Sequence, residues 1–527
     1  MHEPGAIGGV AAGILASIAE VAPAHTANRG MITISIMLAT IMTALDTTIA
    51  NVALPKMAGS VSASPDQVTW VLTSYIIATA IMTPMTGWLA GRFGRKNVFM
   101  VSIVGFTVSS ALCGAATSLE QIVLFRVLQG IFGAAMMPLS QAVMLDLFTL
   151  EERGPAMAVW GMGVMVAPII GPVLGGWLTD DFSWRWVFYI NLPVGILCIA
   201  GVMTFLHDDA ETERRRFDIT GFALLSVTLA AFQLFLDRGE NNDWFHSVET
   251  QLEAATCTVA FILFLVHSFL ADKPFIPLSL FRDRNFSAAA VLGIMVGLLV
   301  FSVLALLPPM LESLMGYPVI TTGLVTAPRG IGSLVSMFAV GRLVGRIDTR
   351  LIILTGLTMF AVAFYQMSHF DLQMNAYLIA TTGFIQGLGT GLVFMPMTTL
   401  AFATLAPSMR ADGTGVFTLV RNLGNSAGIS IMQAIFTSNV QVVHARLVQR
   451  LTPDNPLAKA YLPASSLGTT LGQTTLDGEV SRQAAMVSYI DVFHLMFVTT
   501  VVMMPLLLLL RPTNAPRPAP GEGSVDH

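Results

Sequence analysis

Charge is what this sequence has least of. Only 11% of its 527 residues are Asp, Glu, Lys or Arg, against about 25% in ordinary soluble domains. A soluble chain of this length needs more charge to cover its surface, so an ordinary cytosolic enzyme is excluded. Lysine is nearly absent. Lys56, Lys96, Lys273 and Lys459 are all there is, and none follows a glycine, so the Gly-Lys of a phosphate-binding loop is missing. An ATP-driven pump would need a separate subunit. Cys113, Cys198 and Cys257 each fall inside an apolar run and read as small buried hydrophobes, not as a disulfide framework or metal cluster. The nine histidines include no pair at i, i+4, and no TVGYG filter occurs, which argues against a zinc protease and a potassium channel. The net charge of −5 carries no basic stripe, so nucleic acid is not an expected partner. No cofactor, metal or enzymatic motif is evident.

Apolar residues are abundant: 54% of the chain, with a mean hydropathy of +0.71. Disorder is excluded by the same numbers. A bilayer core needs about 20 apolar residues per helix. Such runs occur at 31–54, 68–90, 98–118, 122–146, 156–178, 186–206, 220–236, 252–270, 287–311, 319–341, 351–368, 376–402, 412–438 and 488–510. The expected fold is therefore an all-α integral membrane protein of fourteen spans. Residues 1–30 lack a positive n-region and read as a tail or short surface helix, not a signal peptide. Residues 511–527, rich in Pro and Gly, read as a disordered tail.

Orientation follows from Lys and Arg. With the N-terminus in the cytoplasm, 17 of them fall in cytoplasmic segments and 7 outside, four of the latter in one loop at 439–486. Both termini are expected in the cytoplasm, and that polar loop outside.

The chain repeats itself. Gly87-Trp-Leu89-Ala-Gly91-Arg92 recurs as Gly341-Arg-Leu343-Val-Gly345-Arg346 at an offset of 254. Gln129-Gly130 and Met137-Pro138 recur as Gln386-Gly387 and Met395-Pro396, at 257 and 258. A duplicated six-helix unit explains this, as in many transporters. The expected organisation is a tail (1–30), a first bundle (31–206), two inserted helices with linkers (207–285), a second bundle with the outer loop (286–510) and a tail (511–527).

An ionisable residue inside a span is a functional hypothesis by default. Asp46 lies about 12 Å and Arg126 about 7 Å from the outer ends of their spans, close enough in depth to meet. Withdrawal from water favours a protonated carboxyl and a nearby guanidinium favours an ionised one. That competition suits a proton-coupled carrier; a static ion pair fixing the helices is the plainer reading. Arg329 and Arg421 also sit near mid-membrane, the latter in Arg421-Asn422-Leu-Gly424-Asn425. With their Gly and Pro neighbours, Arg329, Arg421, Asn422 and Asn425 are candidates to line a substrate path. No partner acid is evident in the second half: Asp412, Asp491 and Glu312 lie near span ends. The fifth span (Gly161, Gly163, Pro168, Gly171, Pro172, Gly175, Gly176) is built to pack closely and bend.

Several runs together resemble the major facilitator superfamily, and more narrowly its fourteen-helix drug:proton antiporters of the EmrB and QacA type. Leu45-Asp46-Thr47-Thr48 through Leu54-Pro55 is similar to the first-helix motif. Gly87 to Lys96 resembles the loop 2–3 signature, Arg126-Val-Leu-Gln129-Gly130 the fourth-helix motif, and Gly171-Pro172-Val-Leu-Gly175-Gly176 the fifth-helix exporter motif. Trp184-Arg185-Trp186 through Asn191-Leu-Pro193, and Leu236-Asp237-Arg238-Gly239 followed by Asp243-Trp244-Phe245, resemble the EmrB-type branch. The signature departs at Gly91, where an Asp is usual, so its charge network is expected to be weaker or rearranged.

The resemblance implies two six-helix bundles, a gating role for Gly87, Gly91, Arg92, Gly94, Arg95 and Lys96, and an antiporter hinge in Pro168, Gly171, Pro172, Gly175 and Gly176. It implies proton-driven efflux of lipophilic and amphipathic molecules across a bacterial inner membrane, of the kind that confers antibiotic resistance. A periplasmic adaptor and an outer-membrane channel are implied partners. A narrow-specificity exporter of a metabolite or siderophore, and a non-transporting membrane sensor, are the alternatives.

Overall fold

The computed structural model describes residues 28–148, 152–206, 217–240, 242–344, 346–405, 409–450 and 469–511. Among them the chain is helical, as backbone in lipid must be to satisfy its own hydrogen bonds. Fourteen rods follow in order. The first six are α1 (Arg29–Ser60), α2 (Trp70–Met82, continuing through Thr83–Met85 and Thr86–Phe93), α3 (Arg95–Ala115), α4 (Leu119–Gly133 and Met136–Leu147), α5 (Arg153–Asp181) and α6 (Trp186–Tyr189 and Asn191–Phe205). Next come α7 (Ile219–Arg238) and α8 (Val248–Leu270). The last six are α9 (Arg284–Pro309, extended by a π-turn at Met310–Leu314), α10 (Val319–Leu343), α11 (Thr349–Met367), α12 (Ala376–Ala403), α13 (Arg410–Arg450) and α14 (Thr470–Met503, then Met504–Leu509).

Eleven helices among the described residues are long and apolar enough to cross a membrane. The other rods are α2, interrupted by a 3-10 turn at Pro84, α5, and the more polar α13. Fourteen spans are consistent with this arrangement.

Neighbours repeat at an interval of eight helices. In the first unit α1 packs on α5 and α6, α2 on α4, and α3 on α4 and α6. In the last, α9 packs on α13 and α14, α10 on α12, and α11 on α12 and α14. The units meet along α5 and α10, and α13 lies against the Pro84 end of α2. The inserted pair α7–α8 covers that second seam, α7 touching both α2 and α13.

At the end carrying Arg29 and Arg95 one apolar cluster crosses between units: Met337, Val340, Leu392 and Met395 pack with Ile32, Ile36, Phe99 and Met144. Burying such surface stabilises by about 25 cal/mol per Å², so this end is closed by oil-like packing.

The loop placed at 439–486 is a correction. α13 runs to Arg450 and α14 starts at Thr470, whose preceding Thr469 accepts from the Gly472 amide at 3.1 Å. His444 and Asp477 join the two extensions at 3.0 Å. Hydropathy reports polarity, and a polar stretch rich in Ala, Gln, Val and Leu still forms helix. Residues 1–27, 451–468 and 512–527, and so nearly all of both expected tails, lie outside the described residues; the first helix already includes Arg29 and Gly30 of the expected N-terminal tail.

Candidate functional site

Asp46 sits in the middle of α1, 2% exposed, and faces α4, where Arg126 is wholly buried. The Arg126 guanidinium donates to Asp46 Oδ2 at 2.5 Å. The second carboxylate oxygen accepts from Gln129 Nε2 at 2.8 Å and from Asn191 Nδ2 at 2.9 Å. Arg126 also donates to Gln129 Oε1 (2.8 Å) and, through Nε, to the Val71 carbonyl (2.9 Å). Its guanidinium lies over the Tyr75 ring, 4.2 Å from the centroid. Asn191 is held in turn by Ser110 Oγ at 3.0 Å. A buried charge needs this much company, because unpaired it costs several kcal/mol. The outcome is a closed polar ring linking α1, α3, α4 and α6.

The sequence singled out Asp46 and Arg126, and the structure brings them together. Gln129 and Asn191 stood inside quoted motifs without a role. Gln129 is three residues after Arg126, on the same helix face.

The second-half candidates form no such ring. Arg329 on α10 is half-buried, with its Nε lacking any hydrogen-bond partner. Arg421 on α13 lies 5.2 Å from the Phe394 ring. Neither has a carboxylate partner among the described residues. Asn422 is half-buried; Asn425 Oδ1 is buried without a partner and crowds Gly297 of α9. Asp491 is exposed, and Glu312 sits in the π-turn.

The turn from α2 to α3 is made by Gly94, at φ +84°, a conformation that side chains resist. Gly87 and Gly91 lie on the last piece of α2, and a methyl at Gly91 would meet open space. Arg95 pairs with Asp146 of α4, Lys96 donates to the Met203 carbonyl of α6 at 3.2 Å, and Arg92 rests against the Trp88 and Phe93 rings. These contacts all stay within the first unit.

On α5, a side chain at Gly171 would run into Thr48 of α1, one at Gly175 would come within 3.3 Å of Ile49, and one at Gly161 within 2.8 Å of Met337 Sδ. Gly176 lies half-buried on the same helix. α5 continues unbroken through the Pro168 and Pro172 positions, whose side chains lie outside the description.

The model of the Major Facilitator Superfamily matches residues 36–429. The chain belongs to that superfamily. It is 36% identical over 510 residues to the multidrug export protein EmrB of Escherichia coli K12, spanning 96% of this chain and 99% of that one. It is 33% identical over 494 residues to the fatty acid resistance protein FarB of Neisseria gonorrhoeae, spanning 93% and 97%. The crystal structure of the human organic anion transporter MFSD10 superposes with a TM-score of 0.58 at 14% identity, covering 90% and 99%, which shows the fold. Within the superfamily the chain is a multi-pass transporter of the EmrB-type multidrug-efflux branch.

The inserted helices dock through polar bonds at both ends. Thr73 of α2 donates to Asp237 Oδ2 at 2.7 Å, with Gln233 on the other oxygen at 2.9 Å, and Thr437 of α13 donates to Glu240 at 2.5 Å. At the far end Asp218 accepts from the Gly221 and Phe275 amides (2.9 and 3.0 Å) and pairs with His267 at 2.9 Å, while Phe217 packs on Trp88. Burial works against the Asp218 carboxylate, but those amides and His267 outweigh it and hold it below the usual carboxylate range.

Proposed function

We propose that this chain is a proton-coupled exporter of lipophilic and amphipathic small molecules, working by alternating access between two six-helix bundles. Asp46 takes up and releases the proton. Protonation removes the charge that Arg126 binds, so the ion-pair attraction is lost and a hydrogen bond from the guanidinium to a neutral carboxyl remains. α1 is then free to move against α4, and loss of the proton draws them together again. Gln129 and Asn191 hold the carboxylate in register, and Arg126 is its counter-charge. The carrying observation is the sealed carboxylate–guanidinium pair, with every carboxylate oxygen occupied.

In this reading the chain spans a bacterial inner membrane fourteen times with both termini in the cytoplasm. The apolar seal then closes the cytoplasmic side. Arg92, Arg95 and Lys96 brace the first bundle during the movement, and the glycines of α5 provide the tight hinge. An adaptor protein and an outer-membrane channel are carried over as proposed partners from the EmrB-type likeness alone. A narrower cargo range is the second reading, favoured by the similarity to a fatty acid resistance protein.

The test is transport into proteoliposomes under an imposed pH gradient, scored by proton release and by cargo accumulation. Wild-type protein couples the two and Asp46→Asn does not. Cargo movement by Asp46→Asn that still follows the gradient would overturn the proposal. Resistance in a pump-deleted host to one chemical class only would select the narrow reading.

A further inference from the structure

In the first unit Arg126 has a carboxylate and Gln129 is bonded at both ends, with Arg126 Nη2 alone left open, whereas the second unit leaves its amide and guanidinium without an anion. Two small side chains fix the register between them. Thr79 donates to the Gly130 carbonyl at 3.3 Å, joining α2 to α4; Ser333 donates to the Gly387 carbonyl at 3.2 Å, joining α10 to α12. A side chain at Gly130 would meet the Tyr75 carbonyl and the Thr79 amide, and one at Gly387 would meet the Arg329 carbonyl and the Ser333 amide. Tyr75 therefore corresponds to Arg329, Gln129 to Gln386 and Arg126 to Gly383.

Across that register the side chains are exchanged. In the first unit an aromatic ring on α2 faces a guanidinium on α4. In the second, the arginine is on α10 and α12 supplies the gap: a methyl at Gly383 would lie 3.7 Å from Arg329 Cβ. A cation stands at the same junction in both units. Its anion does not, because α9, the counterpart of α1, contains no Asp or Glu from Arg284 to Pro309.

The amide that should help bind that anion is present. Gln386 is 1% exposed, yet neither its oxygen nor its nitrogen has a hydrogen-bond partner, and Arg329 Nε is likewise alone. Buried polar groups are nearly always satisfied, and each one left open costs free energy. Arg421 adds a second guanidinium to this unit with no carboxylate beside it.

We propose that Arg329 and Gln386 form a receptor for the carboxylate of an amphipathic cargo molecule, which stands in the second unit where Asp46 stands in the first. The planar guanidinium fork suits two carboxylate oxygens, and the Gln386 amide donates to one of them as Gln129 does to Asp46. The apolar part of the cargo lies against the surrounding helices. This rests on the exporter reading and names its cargo class.

The test is equilibrium binding of radiolabelled dodecanoate to the purified full chain in lipid nanodiscs, with empty nanodiscs as blank. Dodecyltrimethylammonium is the cation of the same tail. Arg329→Gln and Gln386→Leu each raise the dodecanoate Kd about tenfold or more, and Arg329→Lys recovers part of the loss. Gln386→Glu, which supplies an internal carboxylate, abolishes dodecanoate binding. The cation keeps its Kd within about twofold in Arg329→Gln, Gln386→Leu and Arg329→Lys. Wild-type protein without saturable dodecanoate binding overturns the proposal. So does an Arg329→Gln variant that weakens anion and cation alike, or neither. Because no gradient is applied, wild-type protein that binds dodecanoate but fails to move it against a pH gradient overturns the exporter reading and leaves this receptor standing.

Discussion

Asn191 donates at 2.9 Å to the same oxygen of Asp46 that Gln129 holds, from a helix that the chain reaches 145 residues later. The proposed proton site of the first unit is thus an assembly of helices, and each participant can be removed separately.

Asp46→Asn keeps the shape of the side chain and removes its charge. Gradient-driven efflux should fall to the level of cells without the protein, with the variant still in the membrane at normal abundance. Efflux assays paired with quantitative blots of the membrane fraction check this.

Asn191→Leu deletes one hydrogen bond to a charged group and Gln129→Leu deletes two, each worth about 1.5–3 kcal/mol. Arg126→Gln leaves the Asp46 charge buried with no cation, which costs about 3–5 kcal/mol. Thermal unfolding in a mild detergent should therefore rank Asn191→Leu as the least destabilised of the three. Wild-type Tm values for all three would show that the ring contributes nothing to stability.

Gly171→Val drives a branched side chain into Thr48, between α5 and α1. Overpacking of this kind costs about 1–3 kcal/mol. Gly91→Ala enters open space and should leave the Tm unchanged. A Gly171→Val protein with wild-type Tm would mean that α5 and α1 are not closely packed.

Asp218 is held below its ordinary range by the Gly221 and Phe275 amides and His267. Its contribution is fully present above the unfolded carboxylate value, about 3.9, and is lost as pH falls through the lower folded value. Asp218→Asn should lower the Tm at pH 7, and the gap to wild type should close at acid pH. A gap that persists once the carboxylate is protonated would contradict the assignment. Since Asp218 is partly exposed, the effect is expected to be small.

Reporter fusions between Arg450 and Thr470 should report the side opposite the cytoplasm. A cytoplasmic signal there would remove one span from the count.

Long apolar runs made the fold legible, because lipid leaves a chain few alternatives to helix. Asp46 and Arg126 were legible for the same reason: charges in oil stand out. Gln129, Asn191 and Gln386 did not stand out, since neutral amides are inexpensive enough to occur in any span. Tyr75 and Arg329 are related by the same offset of 254 as Gly87 and Gly341, but the differing residue types drew no attention to the pair until the matched bonds of Thr79 and Ser333 stood beside it. The helical continuations at 439–450 and 470–486 escaped because hydropathy is blind to the backbone of a polar stretch.

Gly161 meets Met337 near one end of the α5–α10 contact, and Gly323 meets Val173 near the other. A seam touching at both ends behaves like a door jamb, and the opposite seam is draught-proofed by α7 lying over α2 and α13. A greasy molecule wandering through the surrounding lipid therefore finds both of these flanks occupied by protein.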